Sequence, residues 1–236
     1  MLIAYLIVGL LSGFLVNYLS DALPATRRLT KPEWWPISGS GFAKYFSRPR
    51  VLIVFALSLA AAFLLDQNPP SGFAVHFLAI VLVYFLIVAV IDIEHRVVMH
   101  PVSIVGAVLM TAIGILRGHT PAGTLLGGAV GFGFMLAIYY LGDWLGRTMA
   151  RARKEAWEET ALGFGDVNLA GVIGLLMGWP GVIAALFMGM LLAGIFSAIY
   201  LLLTFFGGRY RAFASIPYAP FLCLGAVASV LLGIYL

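Results

Sequence analysis

The chain has 236 residues, of which 62% are apolar and only 10% charged, with a formal net charge of +4. A soluble domain is about 45–50% apolar and about 25% charged, so this chain has too few charges to cover a water-facing surface, and its solvent is largely lipid. Its 14 basic residues report membrane orientation before any nucleic-acid partner, and the single cysteine, Cys223, excludes an internal disulfide and a multi-cysteine zinc site.

A spanning helix needs about 20 mostly apolar residues. Eight such segments are predicted, at roughly 2–20, 51–66, 73–92, 100–116, 121–143, 166–178, 180–206 and 217–236. The apolar runs are long and unbroken, where barrel strands would alternate, so the expected fold is an all-α polytopic membrane helix bundle. Segment 2–20 has no basic residue before it, the first being Arg27, so it reads as a retained helix rather than a cleaved leader. With the N-terminus outside and eight crossings, the inner loops are about 21–50, 93–99, 144–165 and 207–216. They hold every lysine and arginine except Arg117, as the positive-inside rule requires. The whole chain, 1–236, reads as one transmembrane domain with 21–50 as a short cytoplasmic loop. Trp34, Trp35, Trp144, Trp157 and Trp179 fall near the predicted interfaces as an aromatic belt. Gly123, Gly127 and Gly131 recur every four positions, as do Gly174 and Gly178, a spacing that lets helices pack closely. Gly178-Trp179-Pro180-Gly181 marks a turn between the sixth and seventh segments.

With only ten acidic residues, each can be weighed. Asp143 precedes Arg147 by one helical turn and is expected to pair with it. Glu155, Glu158 and Glu159 sit among arginines as a solvated face, and Glu94 faces the headgroups. Asp92 ends one apolar run and Asp166 begins another, and the topology puts both at the inner membrane face. A carboxylate so close to hydrocarbon is costly unless it faces a bundle interior or a wet cavity. Each alone reads as a boundary residue or helix cap; the pair on one side points to chemistry. Two carboxylates in a low dielectric hold a single proton between them. The ionised one can then draw a proton from water while the other polarises a carbonyl, which is general acid–base peptide hydrolysis. The glycines flanking Phe164 leave room for an extended substrate backbone, or allow the loop a positive φ. His95 and His100 lie near Asp92, but their spacing of five is unlike the three or four of helical metal ligands, and no metal is expected. The competing reading of paired membrane carboxylates is a transporter or ion pathway, which calls for carboxylates at mid-helix or in broken helices.

These residues resemble the type IV prepilin peptidase family. Gly163-Phe164-Gly165-Asp166-Val167-Asn168-Leu169, followed by Gly174 and Met177-Gly178-Trp179, looks like the family's GxGD signature. Asp92 with the segment to His100-Pro101 is similar to its first catalytic aspartate and the Pro-containing stretch after it. Ser215-Ile216-Pro217-Tyr218-Ala219-Pro220-Phe221-Leu222 resembles its Ile-Pro-Phe-Gly-Pro-Phe-Leu segment, and Leu11 to Pro24 its N-terminal motif with the order disturbed. The resemblance implies a membrane aspartyl endopeptidase of the bacterial inner membrane, cutting the basic leader of prepilins or pseudopilins at the cytoplasmic face. Asp92 and Asp166 would be catalytic, and Gly163, Phe164, Gly165, Pro217 and Pro220 would contact substrate. Many bacterial members also N-methylate the new terminus with S-adenosylmethionine and carry two CxxC pairs in the first cytoplasmic loop. This chain has no cysteine there, so no cofactor is expected, and S-adenosylmethionine enters only if that second activity is retained. Asn168 stands where relatives often have lysine, and Met99-His100-Pro101 replaces a more usual Ile-Pro-Asn or Ile-Pro-Asp.

Overall fold

A computed structural model describes residues 2–26, 44–67, 75–153, 163–207 and 217–233. Among them are eight principal helices and no strand: α1 Leu2–Thr26, α2 Pro49–Gln67, α3 Val75–His95, α4 His100–Leu116, α5 Pro121–Arg153, α6 Phe164–Met177, α7 Gly181–Phe206 and α8 Ala219–Leu231. Each predicted segment thus has its helix. Arg27, Arg28, Lys31, Trp34, Trp35, Lys154, Glu155, Trp157, Glu158, Glu159, Arg209 and Arg211 lie outside the described residues.

Four helices are long and apolar enough to cross a bilayer, over Leu6–Pro24, His76–His95, Pro121–Thr148 and Gly181–Phe206. The other four are apolar but shorter. Large apolar side chains face outward along them, among them Ile104, Val108, Phe187 and Leu203. A water-soluble protein does not expose such a surface, and lipid is its natural cover. The chain is a membrane protein built of helices.

Two of the expected inner loops differ from the sequence reading. Helix α1 runs on through Asp21 and Pro24 to Thr26, and α2 already begins at Pro49, so both ends of the expected 21–50 loop are helical. Helix α5 continues past residue 143 to Arg153. Hydropathy marks where hydrocarbon ends, not where backbone hydrogen bonding stops, and a helix can carry polar residues out into the headgroup region. Within that extension Asp143 pairs with Arg147 at 2.9 Å, one turn on, as expected.

The chain divides into two compact units, Met1–Ile91 and Asp92–Leu236. In the first, α1 packs on α2. The Phe55 ring fills the space a Cβ at Gly13 would take, and Phe14 meets Phe55 edge-on at 4.9 Å. Past the end of the apolar face, Asp21 accepts a hydrogen bond from the Tyr45 hydroxyl at 2.5 Å and lies 2.7 Å from the Arg50 guanidinium. Burial, and then the Asp21 carboxylate, push the Tyr45 phenol above its ordinary value. A group raised on folding stabilises fully below its unfolded value of 10.0 and loses that contribution as pH climbs toward the folded one. Tyr45→Phe is therefore expected to cost about 1–2 kcal/mol near neutrality. The gap from the parent chain, read by thermal unfolding in detergent, should narrow on going from pH 8 to pH 11. Equal stabilities at pH 8 would refute the assignment.

In the second unit α6 is the hub, packing on α4, α5, α7 and α8. Its buried face is nearly continuous from Asp166 to Met177, broken only by the half-buried Asn168 and Leu175. The glycine spacing explains the closeness of α5 and α6. A Cβ at Gly174 would overlap the Gly127 carbonyl, and one at Gly131 the Ala170 carbonyl. Helices α7 and α8 meet the same way at Gly189 and Gly225. Gly178 contributes through its backbone instead. At φ 65° it terminates α6, and the following Trp179 N–H donates to the Gly123 carbonyl at 3.0 Å.

Candidate active site

Asp92 lies in the last turn of α3, on a side chain that is 5% exposed, and Asp166 is the third residue of α6, at 8%. Each has a backbone amide beside it. Gly163 precedes the first helical residue of α6, and its backbone amide lies on the side of the Asp166 carboxylate, while the Asp166 N–H donates to the Gly163 carbonyl at 3.1 Å. A helix start leaves backbone N–H donors open, and its positive end favours a carboxylate there. Asp92 Oδ2 accepts the N–H of Ala219, the first residue of α8, at 3.2 Å. Both carboxylates therefore sit at the amino-terminal end of a helix, and each is near enough for the charge of Asp92 to act on Asp166.

The two share a cavity of about 290 Å³, walled by Asp92, Arg96, Val97, Val98, His100, Gly163, Phe164, Gly165 and Asp166. The segment between α3 and α4 forms one side. Arg96 opens it with φ 53°, the left-handed region that costs a side-chain-bearing residue roughly 1 kcal/mol or more, and its N–H closes on the Asp92 carbonyl at 2.8 Å. Its guanidinium acts on the Asp92 charge. Val98 then turns inward and is buried.

The two flanking glycines have different surroundings. Neither has a positive φ. A Cβ at Gly165 would stand 2.7 Å from Val98 Cβ and 2.9 Å from the Val98 carbonyl oxygen, so the space is taken by the chain's own backbone rather than left for a substrate. At Gly163 the same atom would meet only Asp166 Oδ2 at 3.5 Å and the Gly165 nitrogen at 4.0 Å. Phe164 is fastened to α5 by edge-on contacts with Phe132 and Tyr139, at 6.3 and 5.9 Å between ring centroids.

Five of the residues singled out from the sequence thus share one cavity: Asp92, Asp166, Gly163, Phe164 and Gly165. Among the described residues Pro217 and Pro220 are not part of its wall; they bracket Tyr218 and Ala219 and lead the Ala219 amide to Asp92. Sequence reasoning missed Arg96, Val97 and Val98, and weighed His100 as a metal ligand and as part of the Met99-His100-Pro101 departure from the family's pattern. His100 Nδ1 lies 3.2 Å from the Asn168 amide nitrogen, so the two positions that depart from the family's pattern are partners.

The family model described as the type IV leader peptidase family matches residues 79–198, half of the chain. The chain belongs to that family. No curated protein and no solved structure matches it. As a leader peptidase, it is a membrane-embedded hydrolase that acts on protein substrates. The matched stretch of this leader peptidase carries both aspartates, the Arg96–Met99 segment, His100 and Asn168, and stops before the Pro217–Pro220 segment.

Proposed function

We propose that the chain is an aspartic-type endopeptidase that removes the basic leader of prepilin-like or pseudopilin substrates at the cytoplasmic face of a bacterial inner membrane. Asp92 and Asp166 are the acid–base pair. What supports this reading is their burial as walls of one cavity, each beside a backbone amide. A pair of carboxylates sharing one proton can activate water without metal or covalent intermediate. The ionised member takes a proton from the attacking water and the protonated member donates to the scissile carbonyl oxygen; the tetrahedral carbon then expels the amine, its nitrogen taking the proton drawn from water, while the other carboxylate takes back the hydroxyl proton as the carbonyl reforms. Both aspartates stand at helix ends rather than mid-helix, unlike the broken helices of a transport pathway, and family membership speaks for the hydrolase.

Eight crossings with an outer N-terminus put the cavity on the side of the basic loops. Leaders are basic; Asp92 and Asp166 are acidic, and the cavity's cation, Arg96, stands beside Asp92. S-adenosylmethionine would enter only if a second, N-methylating activity is retained; the hydrolysis itself does not use it. Co-expression with a prepilin bearing a short basic leader, a glycine and a Phe-led apolar helix, followed by intact-mass spectrometry, tests the reading. The expected product lacks the leader and carries an unmethylated terminus. An uncut prepilin in membranes that contain the folded chain would reject the reading.

A further inference from the structure

We propose that His100, held by Asn168, is a substrate-positioning residue whose ring N–H hydrogen-bonds a backbone carbonyl of the peptide segment entering the Asp92–Asp166 cavity. The inference rests on the peptidase reading above and names how the site grips its substrate. His100 is the first residue of α4 and part of the cavity wall. Its side chain does not cap its own helix, because Met99 is the capping position and makes no side-chain bond there. Its partner comes from another helix: Asn168, two residues beyond Asp166, lies 3.2 Å from Nδ1. An amide nitrogen only donates, so Nδ1 accepts and the proton of the neutral ring resides on Nε2. A solvent-exposed hydrogen bond adds little to stability, so its value here lies in setting the ring's tautomer and orientation.

The chemistry of the cavity says what that donor recognises. The other polar walls are two carboxylates and Arg96. An extended peptide presents carbonyls as well as amides, and the carboxylates, as acceptors, cannot bind a carbonyl unless protonated. A neutral imidazole N–H can, as can the Arg96 guanidinium, but the imidazole does so without repelling lysines or arginines of a basic leader. Asn168 ties this donor to the same helix that carries Asp166, so the carbonyl it holds and the reacting carboxylate keep a common frame.

The test is steady-state cleavage of a leader-bearing peptide by the full chain in detergent. His100→Leu should raise KM roughly three- to tenfold, the worth of one neutral hydrogen bond, with kcat moved less than about twofold. His100→Gln, which keeps a donor, should recover most of the loss. Asn168→Ala should raise KM in the same direction, and the His100→Leu/Asn168→Ala double variant should be no worse than His100→Leu alone. Parent-chain cleavage with an unmoved KM in His100→Leu, or a fall confined to kcat, overturns this proposal by itself. Additive losses in the double variant overturn the part given to Asn168. A parent chain that leaves the peptide whole removes the peptidase reading and this one with it.

Discussion

Asp92→Asn and Asp166→Asn should each lower the rate of leader removal by on the order of a thousandfold or more, with the protein still accumulating in membranes. Asparagine has nearly the volume of aspartate but can neither take up nor release a proton at neutral pH. At position 92 its side-chain oxygen can still accept the Ala219 N–H. The loss is therefore one of chemistry, not of folding. Replacing a buried carboxylate by a neutral amide also removes a desolvation cost, so neither variant should be less heat-stable than the parent. The double variant should be no slower than either single one, because the two groups act as a unit. Time courses at matched protein levels decide the matter; appreciable cleavage by either single variant would remove that residue from the reaction.

The second large effect is expected at Gly165. Gly165→Ala drives a methyl group into Val98, at 2.7 Å from its Cβ and 2.9 Å from its carbonyl oxygen. Backbone cannot swing aside as a flexible side-chain tip can. The Arg96–Met99 segment has to move off α6, at a cost of about 1–3 kcal/mol, and the cavity wall that faces Asp166 moves with it. Cleavage should fall at least about a hundredfold, since a displacement near 1 Å in a site of this kind has effects of that size. Gly163→Ala, with its open surroundings, should retain activity within a few fold. Adding Val98→Ala to Gly165→Ala should restore little, because the carbonyl and Cα of residue 98 still obstruct the methyl. Equal activity of the two single glycine variants would show that the close approach at Val98 does not matter.

How much of the fold and site was legible in the sequence follows from what leaves a local trace. Long apolar helices do: their runs located all eight helices, and the spacing of Gly127, Gly131 and Gly174 marked faces fit for close packing, though not that α5 and α6 meet there. Helix ends outside hydrocarbon do not, and so α1 and α5 overran their expected limits into Pro24, Thr26 and Arg153. Asp92 and Asp166 stood out because each abuts a long apolar run, where a carboxylate needs a reason. The residues around them had no such mark. The amide that holds Asp92 comes from Ala219, 127 positions away, and the Asn168–His100 contact joins residues 68 apart. No periodicity encodes either. The closeness of Val98 to Gly165 was hidden for the same cause: a missing side chain can be noticed in a sequence, but what occupies the vacated space is a tertiary fact.

The amide from Ala219 also bears on the order in which the protein matures. A ribosome makes Asp92 long before it makes the helix that steadies it, and in the interval that carboxylate lacks its mate. The surroundings of Asp92 are thus completed only when α8 has been made, so the end of the chain supplies a contact to a residue less than halfway along it.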